Sequence, residues 1–192
     1  RDFCLSRGLG DVYKRQVNWI ITDWYRTQAY YNSGGWRATW SGEGGGVLLN
    51  QCPHQLDLWQ WITGMPASIQ AQCSIGKWHN IEVEDDVTIY AEYPNGATGT
   101  FIISTGECPG TNRLEAAGTR GKVVIENGVL KWWRLLEDER DICQNVKIPG
   151  PQPETEYSEY KPDNGGTAHA GVLQAFADAI LKGTEPIAYG CL

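Results

Sequence analysis

The sequence lacks the long apolar run and the basic surface that mark membrane and nucleic-acid-binding proteins. No segment reaches the roughly 20 consecutive apolar residues that cross a bilayer, and no signal-peptide pattern opens the chain. Asp and Glu number 23 against 16 Lys and Arg, so the formal net charge is −7. Because phosphate contacts need a basic face, the sequence predicts no nucleic-acid partner and no membrane association.

Paired cysteine motifs are also missing. The six cysteines are widely and irregularly spaced, and none forms the C-x-x-C pair of a zinc ribbon or a dense disulfide framework. They are predicted to be buried or incidental thiols of a cytoplasmic protein, since that compartment keeps thiols reduced. They are Cys4, Cys52, Cys73, Cys108, Cys143 and Cys191.

The first sixteen residues do not have the character of a natural domain. Ser6 to Gln16 read SRGLGDVYKRQ, which is the translation of a DNA adapter used in transposon-based sequencing libraries. We therefore predict that residues 1–16 are adapter-derived and non-native. Residues 17–192 are then expected to be one domain, truncated at both ends, from a gene in an environmental sample.

Hydrophobic patterning predicts an α+β fold for this domain. Runs rich in β-branched and aromatic residues are separated by short turn signals such as Pro94-Asn95-Gly96 and Asn127-Gly128, which favour antiparallel hairpins. Strands are predicted over 17–24, 68–75, 87–93, 98–104, 113–117, 122–126 and 129–134, helices over 47–63 and 167–182, and an irregular segment over 137–166. This order predicts one large, predominantly antiparallel sheet with helices on one face.

Two consecutive tryptophans bear on the other face of that sheet. Trp132 and Trp133 lie in one predicted strand, so their side chains point to opposite faces. Both faces then need cover, and this predicts a homo-oligomer that forms through the open face of the sheet.

An aromatic, glycine-rich segment, 25–46, lies between the first strand and the first helix and shows no hydrophobic period. A loop this long inside a compact domain is usually functional. Aromatic rings stack on the C–H faces of sugars, and guanidinium groups donate to hydroxyls. The segment predicts substrate-binding residues, although a loop that packs on the sheet or on another domain is an equal alternative. The candidates are Arg26, Trp36, Arg37 and Trp40.

Three glycines, 44–46, lead into the first helix and precede Asn50, His54 and Asp57. The i, i+4, i+7 spacing places these three on one face if the helix runs regularly through Pro53, which otherwise begins or kinks a helix. Near a helix N-terminus the dipole favours a neutral imidazole, which can take a proton from an alcohol as hydride leaves. Asn50 can bond sugar hydroxyls, and Asp57 can orient His54 or bind substrate. The alternative is a histidine that only satisfies a polar helix start.

This stretch resembles a motif of the Gfo/Idh/MocA family, which includes glucose–fructose oxidoreductase and inositol dehydrogenase. In that motif three glycines precede an aspartate or asparagine and, four residues later, a histidine, and Asn50 and His54 occupy those positions. The resemblance continues in order over essentially all of 17–192. Its further motifs are Gly64-Met65-Pro66, Val83-Glu84-Asp85-Asp86, Asn95-Gly96-Ala97 and the EAAGTRGK run at 115–122.

The resemblance implies a two-domain subunit. A Rossmann domain would bind NAD or NADP and supply a catalytic lysine, but this chain has neither its G-x-G-x-x-G strand–turn–helix nor an EKP-type motif. The domain present here would supply the Asn50 and His54 pair as catalytic residues, the substrate contacts and the open sheet for oligomerisation. The fragment alone is expected to be inactive, and its acidic surface favours a neutral or weakly charged substrate.

Asn50 departs from family members that have aspartate at this position. Asparagine cannot accept a proton, so His54 or the missing lysine is expected to carry proton transfer. Three functions stay open at this point. They are hydride transfer to or from a sugar, polyol or cyclitol, NAD-dependent glycoside hydrolysis within the same family, and a non-catalytic carbohydrate-binding or scaffold role.

Two further polar groups have a plain structural interpretation. His79 is expected at the surface or at a subunit contact. The acidic run of Glu82, Glu84, Asp85 and Asp86 lacks the spacing of a metal-binding loop. We expect it to be the solvated start of a strand, and no metal is predicted.

Overall fold

The computed structural model describes residues 14–147, 149–150, 152–161 and 168–184. Within them the chain forms one eight-stranded sheet in the order β2-β3-β4-β1-β5-β6-β7-β8. The strands are β1 (Lys14–Ile21), β2 (Ser68–Ile75), β3 (Glu84–Glu92), β4 (Thr98–Ser104), β5 (Asn112–Gly118), β6 (Gly121–Glu126), β7 (Val129–Leu135) and β8 (Thr155–Tyr160). The helices are α1 (Gln28–Asn32), α2 (Val47–Asn50), α3 (Pro53–Thr63), α4 (Glu139–Asn145) and α5 (Ala168–Lys182).

The sheet is predominantly antiparallel, as the turn signals predicted. Within the described sheet only β1 and β4 run parallel. The β6–β7 hairpin turns at Asn127 and Gly128, whose φ angles of 51° and 71° are both positive, as a type I′ turn requires. No Rossmann nucleotide-binding unit, which is built from successive parallel strands, occurs in the described part of the chain.

One face of the central strands packs beneath α2 and α3. Phe101 of β4 is fully buried, and its ring lies 5.3 Å from that of Trp59 of α3 and 6.1 Å from that of Trp19 of β1. Alternate residues of the four central strands face this core, which confirms helices on one face of the sheet. The core residues of these strands are Val17, Trp19, Ile21, Val87, Ile89, Ala91, Phe101, Ile103 and Leu114.

The other face of the sheet is polar and open among the described residues. Here Asn18, Thr100, Arg113 and Glu115 help to line a depression of about 360 Å³. Trp133 lies further along this face, with its ring 5.2 Å from the ring of Tyr157, while Trp132 points to the opposite face. The prediction that these tryptophans diverge is therefore confirmed.

The helix predicted over 47–63 divides at Pro53, which was expected to begin or kink a helix. A turn at 51–52 separates α2 from α3, because Pro53 has no N–H to continue α2 and instead begins α3. One prediction about local structure was wrong. The segment expected to be irregular, 137–166, contains α4 and β8. β8 is exposed along its whole length, so its sequence lacks the apolar alternation that marks a half-buried strand.

The ends of the chain test the sequence predictions only in part. β1 begins at Lys14, so its first three residues belong to the segment predicted to be adapter-derived, and residues 1–13 lie outside the described residues. That origin stays a prediction. The helix predicted over 167–182 is α5, within a second compact unit, Lys161–Leu192. No helix of the described residues has both the length and the hydrophobicity needed to cross a membrane.

Glu84 at the start of β3 holds α2 in place. Its side chain is buried, and its Oε1 accepts hydrogen bonds from the backbone N–H groups of Gly46 at 3.0 Å and Leu48 at 3.2 Å. A carboxylate at this position satisfies N–H groups that the helix leaves unpaired. A Cβ on Gly46 would lie 2.0 Å from the backbone oxygen of Glu84, so the close approach of α2 to β3 requires glycine.

Substitution Gly46→Ala is expected to lower the free energy of unfolding by about 1–3 kcal/mol, because the added methyl group overlaps backbone atoms that cannot rotate away. Gly35→Ala is the matched control, since a Cβ there meets nothing within 4 Å. Urea unfolding followed by tryptophan fluorescence measures both. Equal stability of the two variants would contradict the close packing of α2 on β3.

The thiol of Cys52, between α2 and α3, is expected to resist alkylation in the folded protein at pH 8. Burial, together with the nearby charge of Glu84, raises the pKa of Cys52 to about 12, so the reactive thiolate is scarce. Cys108 and Cys143 are exposed and serve as internal references. Peptide mass spectrometry after brief iodoacetamide treatment should show Cys52 modified last, and in urea the difference should disappear. Equal native rates would show that this region opens readily.

Candidate substrate site around the glycine-led helices

Asn50 and His54 lie on either side of a break between two short helices. Asn50 is the last residue of α2, and His54 is the second residue of α3. The single regular helix on which the shared face of Asn50, His54 and Asp57 depended is not formed: Asn50 ends one helix, and His54 and Asp57 lie together, three residues apart, in the next. All three side chains are exposed, so the imidazole is open to a ligand rather than sealed in the core.

Glu43 is a site residue that the sequence reasoning missed. The side-chain amide of Asn50 donates to its Oε1, and the backbone N–H of Ala38 donates to its Oε2 at 2.7 Å. Because the Asn50 nitrogen is engaged, its Oδ1 remains to accept a bond from a ligand hydroxyl. The available signal was an acid set among glycines, in Gly42-Glu43-Gly44.

The same carboxylate shapes the aromatic segment. Ala38 is buried with φ of 52°, a left-handed conformation that is unfavourable for a residue with a Cβ. It is held there by Glu43 on one side and by the backbone N–H of Glu82, which donates to its carbonyl at 3.3 Å, on the other. This constraint sets the direction of the chain immediately after Arg37.

Three of the four predicted substrate residues of this segment gather around Tyr30, another residue that was missed. The guanidinium carbons of Arg26 and Arg37 lie 4.9 and 4.8 Å from the centroid of its ring. Arg37 also lies 4.4 Å from the ring of Trp36 and donates to the Tyr30 hydroxyl at 3.2 Å. Trp40 is exposed, and among the described residues its ring makes no stacking contact with Tyr30, Arg26 or Arg37.

A buried histidine–aspartate pair anchors the start of the segment. Asp85 is fully buried and accepts the backbone N–H groups of Lys77, Trp78 and His79 at 2.9–3.0 Å. His79 Nδ1 lies 2.9 Å from Asp85 Oδ2, and its Nε2 lies 3.0 Å from the carbonyl oxygen of Arg26. The expectation of a surface or intersubunit His79 is therefore wrong, since its side chain is only 6% exposed.

The acidic run at 82–86 is likewise not a solvated start of a strand. Glu84 and Asp85 are buried and bound to backbone N–H groups, and Asp86 pairs with Lys77 at 2.8 Å. A buried carboxylate needs such donors to offset lost hydration. Among the described residues no group of three His, Cys, Asp or Glu side chains is arranged to hold a metal ion.

Tyr31 ties the segment to the end of β4. Its hydroxyl lies 3.0 Å from the Thr105 Oγ1, and its ring lies 4.8 Å from that of His79. Burial raises the pKa of the Tyr31 hydroxyl, the hydrogen bond to Thr105 opposes this effect, and the charge of Asp85 adds to it. The phenol is therefore a neutral structural group, and the backbone N–H of Arg26 donates to the Thr105 carbonyl at 2.9 Å beside it.

Taken together, these contacts connect the Tyr30 group to Asn50 through Ala38 and Glu43. Among the described residues, no hydrogen bond joins His54 to Asn50 or to Asp57. The site presents an exposed imidazole, an oriented amide and stacked guanidinium groups. Such groups suit a small polar ligand that carries hydroxyl groups.

Comparison with known structures places this geometry in context. The WlbA dehydrogenase of Chromobacterium violaceum is 33% identical over 58% of this chain and 32% of its own, with a TM-score of 0.54. The WlbA dehydrogenase of Bordetella pertussis is 21% identical over 91% of this chain and 46% of its own, with a TM-score of 0.63. A levoglucosan dehydrogenase is 18% identical over 89% and 50%, with a TM-score of 0.62.

The chain thus spans a third to a half of the length of these relatives. Comparison with curated protein sequences gives no significant match. The family model for the GFO/IDH/MocA C-terminal domain matches residues 4–124, which is more than half of the chain. With the eight-stranded sheet and the glycine-led motif, this match establishes that the chain belongs to the Gfo/Idh/MocA family of oxidoreductases.

Proposed function

We propose that this chain is the substrate-binding and oligomerisation part of an NAD(P)-dependent oxidoreductase that acts on a sugar, polyol or cyclitol. The observation that carries the proposal is the exposure of Asn50 and His54 at the facing ends of α2 and α3, directly after the three glycines. Family membership supports the reaction class. Carbohydrate substrates are supported by relatives whose structures contain NADH with UDP-GlcNAcA or with levoglucosan.

The residues of this chain then bind the carbohydrate and remove a proton. His54 takes the proton from the reacting hydroxyl, for which an exposed imidazole at a helix start is suited. Asn50 accepts a bond from a neighbouring hydroxyl through Oδ1, since Glu43 holds its nitrogen. In this proposal Arg26, Trp36, Arg37 and Trp40 contact the rest of the substrate, and Asp57, three residues after His54 on α3, binds it as well.

The nicotinamide cofactor does not fit a site built from this chain alone. No glycine-rich turn between a strand and a helix, the usual cradle for its diphosphate, is present in the described residues. NAD or NADP, when held by a nucleotide-binding domain, supplies the hydride acceptor. The contribution of this chain is the position of the hydroxyl and the fate of its proton.

Substitution His54→Ala is expected to lower kcat by about 10²–10⁴-fold, because general-base assistance to hydride departure is lost. The assay follows NAD(P)H formation with a panel of sugars and cyclitols, in a form of the protein that also contains a nicotinamide-binding domain. Gln60→Ala, an exposed change on the same helix, is the control and should keep full activity.

Normal turnover of His54→Ala would remove the imidazole from the proposed chemistry. Release of phenol from an aryl glycoside that requires catalytic NAD would instead favour the glycoside hydrolase of the same family. Retained sugar binding without any redox activity would favour a carbohydrate-binding protein.

We also propose that a second copy of the chain covers the open face of the sheet. Charges there are already paired, as Arg113 of β5 lies 2.6 Å from Glu115 on the same strand and 3.1 Å from Glu126 on β6. Aromatic rings of Tyr90 and Tyr157 are exposed on the same face. A nearly neutral face with exposed aromatic rings suits a two-fold self-contact, in which each patch meets its own copy.

Thr100→Arg, at the centre of this face, is expected to convert the oligomer to monomer, because a long unpaired charge would be buried in the contact. Gln144→Arg adds the same charge on exposed α4 and should leave the oligomer intact. Analytical ultracentrifugation measures both. A wild-type chain that sediments as a monomer at micromolar concentration would exclude this contact.

A further inference from the structure

Two arginines of the aromatic segment share one tyrosine ring. The guanidinium carbons of Arg26 and Arg37 each lie within 5 Å of the Tyr30 ring centroid, so they are less than about 10 Å apart. Stacking engages the flat faces of a guanidinium and leaves its edge N–H groups for other acceptors. Among the described residues each guanidinium donates to one acceptor, the Tyr25 carbonyl for Arg26 and the Tyr30 hydroxyl for Arg37. Both acceptors are neutral.

These two arginines differ from the others whose side chains the structure describes. The remaining four each lie within 4.0 Å of a carboxylate oxygen, namely Arg113, Arg120, Arg134 and Arg140. Neither Arg26 nor Arg37 has such a partner among the described residues. Acids outnumber bases in this chain, which has a net charge of −7, so a shortage of carboxylates does not explain the difference.

The acids nearest in the contact network are committed elsewhere. Glu43 binds the Ala38 N–H and the Asn50 amide, and Glu82 receives the Trp40 N–H at 3.4 Å. Asp85 is fully buried with three backbone N–H groups and His79. Since these carboxylates satisfy the backbone of the surrounding loops, they do not neutralise the two guanidinium groups. Two like charges close together favour an anion brought from outside.

We propose that Arg26 and Arg37, stacked on Tyr30, form an anion subsite, so that the substrate carries a carboxylate or phosphate group in addition to its hydroxyls. The inference rests on the proposed carbohydrate function and names its substrate class: an acidic sugar, or a sugar bearing phosphate. It replaces the expectation of a neutral substrate that the acidic composition favoured. Guanidinium edges match the paired oxygens of both kinds of anion. Glu43 and Ala38 connect this subsite to Asn50, which the reacting end of the substrate would meet.

The 192-residue chain itself provides the test, by calorimetric titration with three probes. Methyl glucoside is neutral, glucuronate adds a carboxylate, and UDP carries a diphosphate without a hexose. We expect glucuronate or UDP to bind at least about tenfold more tightly than methyl glucoside, with an affinity that falls as salt is added. Tight binding of glucuronate identifies a carboxylate as the natural group, and tight binding of UDP identifies a phosphate.

Variants assign that binding to the two arginines. Arg37→Gln and Arg26→Gln should each reduce anion affinity by about tenfold or more, because a charge-assisted hydrogen bond is lost. Arg37→Lys keeps the charge but loses the planar fork and should fall between wild type and Arg37→Gln. Arg134→Gln removes the same charge from an exposed pair on β7 and should bind anions as wild type does. Urea unfolding checks that each variant is folded.

The outcomes separate this subsite from the function it extends. Methyl glucoside binding that equals glucuronate binding and is unchanged in Arg37→Gln overturns the anion subsite and leaves the carbohydrate function standing. Salt-sensitive UDP binding that Arg37→Gln abolishes, with UDP-glucose bound no more tightly than UDP, upholds the subsite and overturns the carbohydrate function. Failure of both charged probes to bind overturns the subsite.

Discussion

The site depends on two buried carboxylates at the start of β3. Glu84 and Asp85 are neighbours in sequence, and they accept backbone N–H groups from two different segments, the start of α2 and the 77–79 turn. Each would be costly to bury without donors, and each loop would leave several N–H groups unsatisfied without its acid. These hydrogen bonds fix both α2 and the 77–79 turn against the start of β3. From these two anchors follow the positions of Asn50 and of Arg26.

The local charge distribution follows from the same arrangement. Carboxylates that bind backbone groups are unavailable to arginines, so the aromatic segment keeps two positive groups in a protein that is acidic overall. Glu43 repeats the device on a smaller scale, since it holds both the strained Ala38 and the Asn50 amide. Because these carboxylates bind backbone N–H groups of the loops, the two guanidinium groups remain for a ligand. The proposed preference for an anionic ligand therefore depends on which groups the carboxylates contact and does not follow from the net charge.

The two faces of the sheet have separate proposed roles, since one carries the substrate site and the other is available for a contact between subunits. The apolar face carries α2 and α3 and so presents the glycine-led motif, while the polar face stays open among the described residues. Strand alternation alone separates these roles, because neighbouring residues such as Asn18 and Trp19 must face opposite ways. A contact on the open face therefore leaves the site on the other face untouched.

The sequence by itself determined seven of the eight strands, their hairpin turns and the motif that marks the family, because alternation, turn-forming residues and glycine spacing are local properties of the chain. It also identified the aromatic segment and its arginines. Only the tertiary structure decided that Pro53 divides the helix, that His79 is buried, and that Glu43, Tyr30 and Asp85 hold the site together. The contacts that engage Glu43 and bury His79 join residues up to 53 positions apart in the chain. A hydrogen bond or a stacked ring between such distant residues leaves no periodic trace in the sequence, since each partner is set by the path of the chain between them.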